Sequence, residues 1–86
     1  MTIKVGDRLP EGTLQEFIEV ENRLIALLPG SAEERRDRGL VYAQLECPRA
    51  AANDLAAYLA MEPSAHDRDE IGERLGKLER AAAALN

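Results

Sequence analysis

Apolar residues first fall into helical register at Leu14, Phe17 and Ile18, and the spacing resumes at Leu24, Ile25 and Leu28 after an interruption at Glu21. Steps of three and four residues place side chains on one face of a 3.6-residue helix, so this pattern predicts a helix over 14–28. Pro29-Gly30 ends it, because proline cannot continue the hydrogen-bond ladder. A second apolar group, Leu40, Val41, Tyr42 and Leu45, follows Ser31 and stops at Cys47-Pro48. Pro48 suits the first turn of another helix, where its missing N–H has no intrahelical partner, and Ala51, Ala52, Leu55, Tyr58 and Leu59 continue it to residue 61. After Pro63-Ser64-Ala65, the positions Ile71, Leu75, Leu78, Ala82 and Leu85 form a narrow apolar face on a charged helix predicted over 68–85.

The starts of these helices carry their own signals. Thr13-x-x-Glu16 and Ser31-x-x-Glu34 have the spacing of a capping box, in which a hydroxyl and a carboxylate satisfy free N–H groups at a helix start, and Asp67-x-x-Glu70 is a weaker instance. Residues 1–12 are expected to be an extended or disordered leader, and residues 13–86 one helical domain. The fold class is therefore all-α: a helical hairpin with a preceding helix and a C-terminal capping helix.

Composition narrows the function. Eleven basic against sixteen acidic residues give a net charge of −5, without the basic patch of a nucleic-acid binder. The chain has no apolar run approaching the length of a membrane span, roughly 18–20 residues, and begins without a signal-peptide core. The single cysteine, Cys47, excludes an internal disulfide, and the cytoplasm is the expected location.

Pro29 and Pro63 lie 34 residues apart, each after an apolar, alanine-containing run, and between them stand Gly39-x-x-Tyr42, Ala51 and Leu55. This spacing resembles the tetratricopeptide repeat, a helix-turn-helix unit of that period. Residues from about 21 onward, especially 33–42 and 55–63, are similar to the helical tail of the SirB-type, transglutaminase-like bacterial proteins. Arg35, Arg38 and Tyr58 depart from the general repeat, which prefers an aromatic, a leucine and an alanine there. The resemblance implies that Gly39 faces Ala51 across the hairpin. It also implies a concave lining of Glu33, Arg36, Leu40, Ala43 and Gln44, with Asp67, Glu70, Arg74, Lys77 and Leu78 one period later. The implied role is non-catalytic binding of a protein or peptide.

Residues 1 to about 20, on the strength of Met1 to Ile18, resemble instead the N-terminal hairpin of bacterial peroxiredoxins, in which Leu14–Ile18 would be a strand. That resemblance implies a thiol peroxidase as the alternative function, but the family's Pro-x-x-x-Thr-x-x-Cys motif is missing: Leu40 and Gln44 occupy the required positions before Cys47.

The remaining chemical candidates are weak. Cys47 precedes a helix start and reads as a turn cysteine, and His66, without a second ligand at helical spacing, reads as a solvated turn residue rather than a metal ligand. Arg35-Arg36-x-Arg38, among Glu33, Glu34 and Asp37, reads largely as a solvated, ion-paired helix face. No phosphate-cradling glycine motif occurs, and no cofactor or metal is expected. Because repeat arrays usually need about three units to cover their cores, the first helix is expected to leave Leu14, Phe17, Ile18 and Ile25 open for a symmetric homodimer.

Overall fold

The computed structural model describes residues 11–85, and all regular structure among them is helical. Four helices follow in order: α1 (Glu11–Leu27), α2 (Ala32–Gln44), α3 (Pro48–Met61) and α4 (Arg68–Ala84). Each packs on its neighbour in the chain, α1 on α2, α2 on α3 and α3 on α4. The expected boundaries hold within a residue or two, except that α1 begins at Glu11. Thr13-x-x-Glu16 therefore lies inside its first turns and does not cap it. The part of the leader expected at 1–10 lies outside the described residues, and residues 11 and 12 are helical.

The tight turn between α2 and α3 sets the hairpin. Glu46 takes a left-handed conformation with φ 59. The Cys47 N–H donates to the Tyr42 carbonyl at 2.9 Å, and the Glu46 N–H to that of Ala43 at 3.2 Å. This pair of bonds is a Schellman closure, which satisfies carbonyls that the end of α2 would otherwise leave free. Pro48 then opens α3 at once.

So short a turn forces the two helices into antiparallel register close to their junction, which brings Gly39 opposite Asp54 and Leu55. A Cβ at position 39 would stand 2.9 Å from Leu55 Cδ2 and 3.0 Å from Asp54 Cβ. The atoms nearest that position belong to Asp54 and Leu55, about one turn beyond the Ala51 expected to face Gly39, and Ala51 is itself fully buried. The need for a small residue is as expected, since the missing Cβ is what lets the helices meet.

Leu40, Val41, Leu55, Tyr58 and Ile71 form the centre of the core, with Leu14, Phe17 and Ile18 of α1 against them. Burying each such side chain stabilises by about 1.5–3 kcal/mol. This corrects the expected dimer surface: Leu14, Phe17 and Ile18 are 4%, 9% and 7% exposed and belong to the chain's own core. Only Ile25 of that set is half-buried, and the exposed apolar residues of this region are Leu27 and Leu28 beyond the docked part of α1. On α4, Ile71 is buried, Leu75 and Leu78 pack partly, and Leu85 projects into solvent.

Candidate functional site

The two first helices of successive pairs, α2 and α4, lie on the same side of α3, and the groove between them gathers Leu40, Ala43, Leu55, Arg74, Lys77 and Leu78 around a volume of about 110 Å³. Leu40 and Leu55 form a floor, 4% and 0% exposed. Arg74 and Lys77 continue into a neighbouring cleft with Glu70 and Glu73. On the other side, Ala43 and Leu78 open onto Glu46, Pro48, Ala81 and Leu85. The adjoining clefts are larger, about 270 Å³ beside Arg74 and Lys77 and about 340 Å³ beside Ala43 and Leu78, so the three together form an extended, open surface rather than an enclosed pocket. Its apolar floor with charged edges suits side chains presented by another polypeptide.

Of the expected lining, Leu40, Ala43, Arg74, Lys77 and Leu78 converge in this groove, with Glu70 adjoining. Glu33, Arg36 and Asp67 do not. They belong to a polar cluster at the other end of α2, where the Arg36 guanidinium contacts Asp37 at 3.1 Å and Asp67 and Glu33 at 3.4 Å. It also lies 5.5 Å from the centre of the Tyr58 ring, whose hydroxyl donates to Asp67. Asp67 stands at the N-cap of α4 without a side-chain cap bond, because its carboxylate serves these tertiary partners. Gln44 is half-buried, and its Oε1 has no hydrogen-bond donor.

The arginine cluster is likewise not a solvated face. Arg36 and Arg38 keep only 15% and 20% of their side-chain exposure. Arg38 grips Asp54 of α3 through two bonds of 2.6 and 2.7 Å and donates a third to Asn22 of α1 at 3.0 Å. Such a bidentate pair is stronger than an ordinary hydrogen bond. Asp54 raises the Arg38 pKa further, chiefly through these bonds and against the opposing effect of burial.

A third cluster went unseen in the sequence. Glu21 does not interrupt the buried face of α1 but continues it, seven residues after Leu14, four after Phe17 and three after Ile18, and it is 0% exposed. It meets Glu34 and Asp37, which lie three residues apart on α2, with ligand oxygens of all three within 4.8 Å of one another. Asp37 is also fully buried, and Glu34 is half-buried. As ionised groups, neither oxygen of Glu21, nor Asp37 Oδ2, nor Glu34 Oε2 has a donor. Burial, reinforced by Glu34 and Asp37, pushes Glu21 up to about 8; protonated, it can donate to Glu34. Burial raises Asp37 to about 6 against the opposing pull of Arg36. The signal available in the sequence was the register of Glu21 with the apolar positions around it.

Cys47 is exposed, with its thiol 3.7 Å from the Leu45 carbonyl. His66 is exposed in the turn before α4, apart from the acidic cluster. No helix among the described residues is long and apolar enough to cross a membrane.

Stacked antiparallel helices closed by a 34-residue period define a helical-repeat module. Residues 10–76 match the family profile of the tetratricopeptide repeat, and the chain belongs to that family. It is 44% identical over 50 residues, 58% of its length, to a UPF0162 protein of Xylella fastidiosa, of which those residues are 18%. It is 36% identical to Protein SirB1 of Salmonella typhimurium and 34% identical to UPF0162 protein YchA of Escherichia coli, in each case over 78% of this chain and 23% of the relative. The chain thus spans about a fifth of the curated relatives it matches. No solved structure matches it significantly.

Proposed function

We propose that the chain is a non-catalytic recognition module of the cytoplasm, and that the α2–α4 groove holds a segment of a protein partner. The observation that carries this reading is the convergence of Leu40, Ala43 and Leu78 with Arg74 and Lys77 on one accessible groove. Concave surfaces lined by the first helix of each pair are the usual contact surface of repeat scaffolds. Burial of apolar side chains on the floor would provide the affinity, and the charged edges would select orientation.

The test is a display-library selection of peptides against the whole chain, followed by calorimetric titration with Ala43→Arg. Selected peptides should lose at least tenfold in affinity on that change, because Ala43 is the half-buried position shared by both parts of the groove. Undiminished binding would place recognition elsewhere and overturn the proposal. The peroxidase alternative rests on the leader resemblance, and Cys47 lies in an α2–α3 turn without a thioredoxin-type sheet among the described residues. Turnover of peroxide with a thiol reductant, abolished by Cys47→Ser, would favour it instead.

A further inference from the structure

We propose that Glu21, Glu34 and Asp37 form a binding site for a hard divalent cation of the size of Ca²⁺, which pins α1 to α2. Glu34 and Asp37 alone would be an acidic pair on one helix face. The independent observation is Glu21, which arrives from a different helix, is 0% exposed, has both oxygens unpartnered, and brings one of them within 4.8 Å of oxygens of that pair. A buried carboxylate normally has donors or a counter-charge.

The nearby arginines are already engaged. Arg38 is held by Asp54 and Asn22, and Arg36 reaches Asp37 only through Oδ1, leaving Oδ2 facing the cluster. Among the described residues, no positive charge sits between the three carboxylates.

The donor set and spacing select the ion class. All-oxygen carboxylate sites suit Ca²⁺, Mg²⁺ and Mn²⁺ rather than thiophilic metals. Two oxygens on one ion can lie no farther apart than twice the metal–oxygen distance, which is about 4.6–5.2 Å for Ca²⁺ and about 4.0–4.2 Å for Mg²⁺. A cluster whose oxygens all lie within 4.8 Å of one another falls inside the limit for Ca²⁺. Each of the three residues offers one carboxylate oxygen to a shared ion. The half-buried Glu34 gives the route from solvent. A bound cation would also remove the like-charge repulsion within the cluster.

The experiment is thermal unfolding of the whole chain in metal-free buffer near pH 7.5, then with CaCl₂, MgCl₂ or MnCl₂ and with KCl at matched ionic strength. The midpoint should rise with the logarithm of free Ca²⁺, less with Mg²⁺ and not with KCl, because a ligand that binds only the folded state stabilises in that manner. Chelation should reverse the rise. Glu21→Gln should abolish it, and Glu34→Gln, at a half-buried position, should weaken it while leaving the fold intact. Calorimetric titration should give one Ca²⁺ per chain. A midpoint indifferent to millimolar Ca²⁺, Mg²⁺ and Mn²⁺, or one that rises equally in Glu21→Gln, would overturn the proposal. None of these readouts depends on what the α2–α4 groove binds.

Discussion

The two sides of α2 bury charge in opposite ways. Toward α3, Arg38 and Asp54 complete each other at 2.6 and 2.7 Å, and Arg38 gives a further bond to Asn22 of α1 at 3.0 Å. Toward α1, Glu21 meets two more carboxylates, and four of their oxygens are left without donors. Charged residues enter both interfaces, yet only one of them is self-sufficient. The difference implies a division of stability: the α2–α3 hairpin holds by packing and a satisfied ion pair, while the docking of α1, driven by burial of Leu14, Phe17 and Ile18, is opposed by its buried acids unless they gain a proton or cation.

The largest expected effect comes from breaking the closed side. Asp54→Ala leaves the Arg38 guanidinium largely buried with its main partner gone. Removing one member of a buried pair typically costs about 3–5 kcal/mol, and the remaining 20% exposure of Arg38 puts this case at about 3 kcal/mol. Urea denaturation would check it; a loss below about 1 kcal/mol would mean that the pair contributes no more than a surface bridge.

Glycines sharpen the same contrast at smaller scale. Gly39→Ala gains about 1 kcal/mol of helix propensity, but its new Cβ stands 2.9 Å from a fully buried Leu55. Overpacking typically costs about 1–3 kcal/mol, so the net change should be destabilising. Gly72 has no atom within 4 Å of a built Cβ. Gly72→Ala should therefore stabilise, by up to about 1 kcal/mol. If the two alanine variants shift the unfolding midpoint in the same direction, the close approach at Gly39 is not what sets the hairpin.

Helix positions were legible because proline and apolar period mark them locally: Pro29, Pro48 and Pro63 punctuate the chain where α1, α2 and α3 stop or start. Half of the groove was legible through the 34-residue register, since Arg74 and Lys77 are the repeat equivalents of Leu40 and Ala43 and adjacent first helices bring them together. The local ion pairs of Arg36 with Glu33 and Asp37 follow from charge spacing, but the burial of Arg36 and Arg38 was not legible, because Asp67 and Asp54 are 31 and 16 residues away and local spacing contains no information on contacts of that range. Glu21 was hidden differently. A lone acid in an apolar face reads as a gap, and only docking on α2 reveals that it is buried. The same error produced the dimer surface, because Leu14, Phe17 and Ile18 seemed to exceed what one hairpin could cover.

The open side of α2 is tested most directly by the pH dependence of unfolding in metal-free buffer. Glu21 is raised from 4.5 to about 8 in the folded chain, so between those values the folded state holds more protons than the unfolded one. Stability then falls as pH rises. Asp37, raised from 3.8 to about 6, adds a fall over the lower part of the range. The unfolding midpoint of the native sequence should therefore decline from about pH 5 to about pH 8.5. Glu21→Gln, which keeps the shape and removes the charge, should flatten the upper part of the decline above about pH 6. A midpoint that stays level or rises across this range, with Glu21→Gln following the same curve, would contradict the claim that α1 docks through unsatisfied buried acids.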